Sequence, residues 1–258
     1  MLKGLSKYSM LLVELVKRDI KVRYKGSALG IIWSVVNPLL LMLVMSLVFG
    51  MIFQFKIPHF VVYLITGQVF FGFMNEATTL SMNSIVSSGS LLRKIYIPKY
   101  IFPASKVLST LVNLGFNLIS VLVIMAIDGV TFSWALLMTP IAVFYLFLFT
   151  LGLGLILATI VVFFRDVQHI YGVITLAWTY LTPIFYPVSL VEKLPEGFQT
   201  AFKMNPMFQY IDYFRTIVLE QRVPGLEANA TCLLIGVITF LLGVIVFRRN
   251  QYKFLNYA

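Results

Sequence analysis

From Gly129 to Phe164 the chain carries no charged residue. That run is longer than the ~20 apolar residues a helix needs to cross a bilayer, and no water-soluble surface accommodates it. Composition agrees. Of the 258 residues, 60% are hydrophobic and 12% charged, with a mean hydropathy of +0.92, against about 45–50% and about 25% in soluble domains. The sequence therefore predicts an all-α polytopic membrane protein, organised as one transmembrane domain over 1–258.

Six transmembrane helices are expected, over 30–53, 60–84, 104–127, 134–164, 167–186 and 228–247. The first begins near Trp33, which suits an interfacial position, and contains Pro38, which removes a backbone donor and kinks a helix. The second is polar in its latter half, with Asn75, Glu76, Thr78, Thr79, Ser81, Asn83 and Ser84. Lipid tolerates such a face poorly, so it is expected to look into the protein or into a wet cavity. Asp128-Gly129 makes a tight turn before the fourth span, in which Gly152 and Gly154 permit close helix approach. The fifth is dense in aromatics and interrupted at Pro183 and Pro187. Residues 187–229 are too polar to span and too apolar for a free loop, which fits short helices lying in or dipping into the interface.

Ahead of the spans, residues 2–25 carry charges throughout, unlike a cleavable signal peptide. At 100° per residue, Lys3, Lys7, Glu14, Arg18, Lys21 and Lys25 fall within a stripe of roughly 60°, with Leu5, Leu12, Val16 and Ile20 opposite. This is the pattern of an amphipathic helix at the membrane interface. Asp19 and Arg23 point to its apolar side, four residues apart, and are expected to pair with each other.

The net charge is +10. Because the basic residues flank apolar spans, anionic lipid headgroups explain them better than nucleic acid does. With six spans both termini share one side, and that side holds fifteen of the 20 basic residues. The positive-inside rule makes it cytoplasmic and turns 187–229 outward.

Chemistry is conspicuously sparse. There is no G-x-x-x-x-G-K-S/T sequence to cradle ATP phosphates, no hydrolase or zincin motif, and His59 and His169 stand far apart with a single cysteine, Cys232, so no metal site is evident. Glu76 is the one acidic residue well inside a span, fewer than an ion-coupled transporter needs. A pump built on this chain would draw its energy from a partner. The basic connector 87–103, containing Arg93, Lys94, Ile95, Tyr96, Ile97 and Pro98, joins two spans directly and is the natural docking place; the alternative is a loop that only sets orientation. The aromatics also have two readings, helix packing and interface anchoring, or stacking surfaces for the apolar faces of sugar rings.

Three stretches carry a family resemblance. Val16-Lys17-Arg18-Asp19-Ile20-Lys21-Val22-Arg23-Tyr24-Lys25-Gly26-Ser27-Ala28-Leu29-Gly30-Ile31-Ile32-Trp33, followed by Asn37-Pro38-Leu39, resembles the opening signature of type-2 ABC exporter permeases for O-antigen, capsule and teichoic acid. Leu92-Arg93-Lys94-Ile95-Tyr96-Ile97-Pro98, with Pro103 after it, resembles their coupling-helix region, departing at Ile97-Pro98, where many members have an aromatic before the proline. Phe164-Arg165-Asp166-Val167 and Thr182-Pro183-Ile184-Phe185-Tyr186-Pro187 resemble their fourth and fifth spans.

The resemblance implies a homodimer with two ATPase subunits that bind ATP and Mg, no cofactor on this chain, and a place in the bacterial inner membrane. It implies a substrate of undecaprenyl-linked polysaccharide, of O-antigen type first, with capsule, teichoic acid or a small amphiphile as alternatives. A membrane enzyme acting on polyprenyl phosphates is disfavoured, since no acidic or His cluster is found at one face. The connector would seat in the ATPase, and the segment after span five would form short external gating helices carrying Phe185, Tyr186, Met207, Phe208, Tyr210 and Phe214. Trp33, Phe49, Tyr171, Trp178 and Tyr180 are the candidates for a sugar-stacking path, with Tyr171 and Trp178, seven residues apart on one face, favoured over Tyr180.

Overall fold

The computed structural model of the chain describes residues 2–27, 29–48, 57–89 and 97–254, with side chains from Tyr8 onward. Every regular element among them is helical. The long ones are α1 (Leu2–Tyr24), α2 (Ile32–Leu47), α3 (Phe60–Ser87), α4 (Ile101–Ile127), α5 (Thr139–Phe163) and α6 (Val167–Tyr180). After α6 come the short α7 (Val188–Val191) and α8 (Glu196–Lys203), then α9 (Pro206–Val218) and α10 (Leu226–Asn250). A 3-10 turn at Trp134–Met138 leads into α5, and another at Gln251–Lys253 follows α10.

Four helices among the described residues are long and apolar enough to cross a membrane: Phe60–Ser87, Ile101–Ile127, Trp134–Phe163 and Leu226–Lys253. They coincide with expected spans two, three, four and six. The two others are shorter. The helix of span one is described over Ile32–Leu47, and its expected continuation to 53 lies outside the described residues. Span five shrinks to the 14 residues of α6, about 21 Å at ~1.5 Å per residue, because Thr182-Pro183 ends the helix before Tyr186.

α3 is the axis of the bundle. Phe70, Phe73, Met74 and Met82 on it are all almost fully buried, as befits a helix packed by neighbours on most of its sides. α4 ends in a Schellman motif: Gly129 takes φ +75° and the Val130 N–H reaches back to the Met125 carbonyl at 2.9 Å, a conformation that favours glycine. α5 and α10 cross at Gly152 and Gly243. A Cβ on Gly152 would overlap the Thr239 carbonyl, and one on Gly243 would overlap the Gly152 backbone, so the sequence pattern of small residues sets how closely these spans approach. By contrast α2 buries only Ser34 and Met42 and leaves Leu40, Leu43, Val44 and Leu47 exposed. α6 likewise exposes Val173, Ile174, Leu176 and Tyr180.

Candidate functional site

Between α2 and the middle parts of α3 and α4, and reached by the end of α1, lies a cavity of about 600 Å³. Its polar lining comes from Arg23, Tyr24, Ser34, Asn37, Gln68, Glu76, Asn113 and Asn117, and Trp33 contributes an aromatic wall. The sequence puts these groups together by simple means. Gly26 (φ +80°) and Gly30 (φ +53°) turn the chain from α1 into α2. Gln68, Gly72 and Glu76 repeat every four residues, which keeps them on one side of α3, and Asn113 and Asn117 do the same on α4. Tyr24 secures the corner. Its hydroxyl donates to Asn113 Oδ1 at 2.8 Å and is hydrogen-bonded to Ser34 Oγ. Gln68 Oε1 is buried with no hydrogen bond among the described residues. Amides and hydroxyls from Asn37, Gln68, Asn113, Asn117, Tyr24 and Ser34, with one indole and the charged Arg23 and Glu76, line it, and such groups suit a hydroxyl-rich ligand. Among the described residues no cluster of His, Cys, Asp or Glu could hold a metal.

The polar half of α3 therefore divides. Glu76 faces the cavity, while Thr78, Ser81 and Ser84 are buried in helix contacts. Their hydroxyls donate to main-chain carbonyls, Thr78 to Met74 at 2.7 Å, Ser81 to Pro103 at 3.1 Å and Ser84 to Ser81 at 2.6 Å. Such residues are placed inside, but for packing. Thr79, on the other hand, is exposed.

The expected Asp19–Arg23 pair is not formed. Arg23 pairs with Glu76 of α3 at 2.5 Å. Asp19 takes Lys106 of α4 at 2.7 Å and its neighbour Arg18 at 3.0 Å. The reason is tertiary. α1 lies against α4, so interhelical partners come within reach, and in these partly enclosed positions (Asp19 is 12% exposed) they outcompete an intrahelical pair that is worth only about 0.2–0.5 kcal/mol.

The aromatic candidates fare differently from one another. Trp33 is 45% exposed at the cavity. Tyr171, preferred from its spacing, is buried, with its hydroxyl hydrogen-bonded to Thr78 Oγ1 at 2.6 Å; it packs between α6 and α3. Trp178 is half-buried, edge-on to Phe71 and Phe149, and donates from Nε1 to Asn205 Oδ1 at 2.7 Å. Tyr180 is the open one of the three, 64% exposed. Phe49 lies outside the described residues, as do Arg93, Lys94, Ile95 and Tyr96 of the connector; Ile97 and Pro98 are described at its end.

Among the gate candidates, Met207, Tyr210 and Phe214 form the docking face of α9 and are almost fully buried. Phe214 stacks on Phe70 at 4.2 Å and Tyr210 packs on Phe149 at 5.4 Å. Phe208 is partly exposed. Phe185 is partly buried against the core, and Tyr186 donates to the Tyr180 carbonyl at 2.8 Å.

Sequence reasoning missed Arg215. Its side chain is buried, donates to the carbonyls of Pro183 at 2.8 Å and Tyr63 at 3.0 Å, and lies 3.4 Å from the centre of the Tyr63 ring. It joins α9 to the start of α3 and to the turn that ends α6. The signal was present: Ile211, Arg215 and Val218 fall on the apolar stripe with Tyr210, Phe214 and Ile217, and a cation on such a stripe has to find acceptors. Asn205 is a second missed hub. It caps α9 by accepting from Met207 N at 3.0 Å and donates to Thr182 Oγ1 at 2.9 Å.

Comparison with known proteins decides the family, because the ABC-2 type transporter model matches residues 10–219. The chain belongs to the ABC-2 type transporter family. It is thus a transport subunit and, with its apolar helices, a multi-pass membrane protein. Individual relatives match over nearly the whole length. The chain is similar to the O-antigen export system permease protein RfbA of Myxococcus xanthus, 30% identical over 254 residues, covering 98% of this chain and 97% of the relative. The RfbA of Klebsiella pneumoniae is 28% identical, covering 95% and 93%. The capsule polysaccharide export inner-membrane protein CtrC of Neisseria meningitidis is 26% identical, covering 91% and 89%.

Proposed function

We propose that this chain is the membrane subunit of an ATP-driven exporter that moves undecaprenyl-linked polysaccharide of O-antigen type across the bacterial inner membrane. The observation that carries the reading is the near-full-length likeness to O-antigen permeases. The cavity of amides, hydroxyls and Trp33 supports it, since sugar hydroxyls and ring faces call for those groups. Capsule polymer is the second reading, favoured by the likeness to CtrC.

In this reading α2 and α6 are the two remaining spans, giving six. Their exposed apolar faces meet a second copy of the chain, and the polymer passes along the seam, with Trp33, Trp178 and Tyr180 as its aromatic contacts. α7 to α9 form the external gate over that path. Both termini are cytoplasmic, as the distribution of basic residues indicates. The connector 87–103 seats Arg93, Lys94, Ile95, Tyr96, Ile97 and Pro98 on a separate ATPase subunit, which holds ATP and Mg; this chain binds no cofactor of its own. Weak, repeated stacking contacts let a polymer slide, whereas one tight site would arrest it.

The test is reconstitution of the chain with its partner ATPase, in liposomes containing undecaprenyl-linked polysaccharide. ATP-dependent appearance of polymer in the opposite compartment is expected, and it should fail when Arg93 and Lys94 are reversed to Glu although the chain still inserts. Stimulation of ATP hydrolysis by a small amphiphile, with none by the polymer, would overturn the assignment.

A further inference from the structure

The residues that follow α10 fold back onto the α3–α4 connector. Lys99, just after Pro98, donates from Nζ to the main-chain carbonyl of Gln251 at 2.5 Å, and its ammonium stands 5.7 Å from the centre of the Phe254 ring. The Gln251 carbonyl, in the turn after α10, already accepts from the Phe254 N–H; Lys99 adds a second, charged donor from another element, of the right sign for the negative end of that helix. Lys99 is half-buried, and that burial draws its pKa below the usual lysine value.

Phe254 is fully buried. It meets Phe247 of α10 edge-on at 5.2 Å and Phe163 of α5 at 6.1 Å. It packs in one cluster with Ile85 of α3 and Phe102 of α4. Four helix ends thus contribute to one cluster, and Ile97 and Tyr100 of the connector lie against it.

We infer that Gln251–Phe254 is a positioning element that hooks the α3–α4 connector to α10. The inference rests on the reading above that the connector receives the ATPase. A push on the connector would then move α10 as well as α3 and α4, and α10 cannot slip past α5, because their backbones meet at Gly152 and Gly243. Without the hook the connector tilts on its own, and ATP is hydrolysed without export.

The experiment measures polymer exported per ATP hydrolysed by the reconstituted permease–ATPase complex. The variants are a stop after Asn250, Phe254→Ala, Lys99→Gln and Lys99→Arg. The first three should assemble and hydrolyse ATP within about twofold of wild type but export about tenfold less per ATP: Lys99→Gln removes the charge from both contacts, Phe254→Ala removes the ring, and the stop removes both partners of Lys99. Lys99→Arg, which keeps donor and charge, should restore at least half of the coupling. Unchanged export per ATP in both Phe254→Ala and Lys99→Gln overturns the inference while the exporter reading stands. Failure of both variants to assemble also overturns it, since the hook would then serve folding alone. A wild-type complex that hydrolyses ATP but exports no polymer overturns the exporter reading first, and this inference with it.

Discussion

Replacing Arg215 by Met keeps most of the volume of the stem and removes the guanidinium. The loss comprises two well-formed charge-assisted bonds, to Pro183 and Tyr63, and the contact with the Tyr63 ring. Bonds from a charged donor contribute about 1.5–3 kcal/mol each, and a desolvated cation over a ring about 2 kcal/mol. Relief from burying the charge returns several kcal/mol. The Pro183 carbonyl also keeps a donor, the Tyr63 hydroxyl at 3.1 Å. The net loss is about 3 kcal/mol, which raises the population in which α9 is undocked about a hundredfold, at 1.36 kcal/mol per factor of ten. The chain carries its own reporter. Cys232, its one cysteine, is buried on α10 with Sγ 3.7 Å from the Gln209 carbonyl of α9, and Tyr210 of α9 donates to the Cys232 carbonyl at 3.0 Å. Undocking α9 uncovers the thiol, so the rate of labelling by a fluorogenic maleimide in detergent should rise about a hundredfold in Arg215→Met and roughly tenfold in Arg215→Lys. Lys203→Met, at the exposed end of α8, should leave it unchanged. A rate in Arg215→Met within about threefold of wild type would refute the idea that this arginine locks α9 in place.

Three further outcomes follow from the same contacts. The Arg23–Glu76 pair is partly solvated (26% and 40% exposed) and contributes about 1 kcal/mol; Glu76→Gln should lower polymer export about fivefold, and the exchange Arg23→Glu with Glu76→Arg should recover most of it, failing which the pair is incidental. Asp19→Ala strands Lys106 in a half-enclosed site and should cost about 2 kcal/mol of thermal stability in detergent, whereas Lys21→Ala, on the exposed side of α1, should be near neutral; equal effects would make both simple surface charges. Gly152→Val should abolish stable insertion because its Cβ has no room against Thr239, while Gly172→Ala, with open space around it, should insert normally, as read from membrane-fraction abundance.

Hydrophobic run length alone determined that this is a membrane protein, and it anticipated the four helices long and apolar enough to cross a bilayer, because a helix in lipid must satisfy its own backbone and so declares itself locally. The Asp128-Gly129 turn was equally legible, since a positive φ favours glycine wherever it occurs. Side-chain partners were not. Asp19 and Arg23 were paired from spacing along one helix, but α4 and α3 brought Lys106 and Glu76 closer. Tyr171 and Trp178 share a face of α6, yet which face meets α3 is set by packing, and that turned Tyr171 inward and left Tyr180 open. The polar cavity joins residues as distant as Arg23 and Asn117, and the Arg215 lock joins Tyr63 to Pro183. Periodicity names the face a residue occupies; only the crossing of helices decides what that face touches.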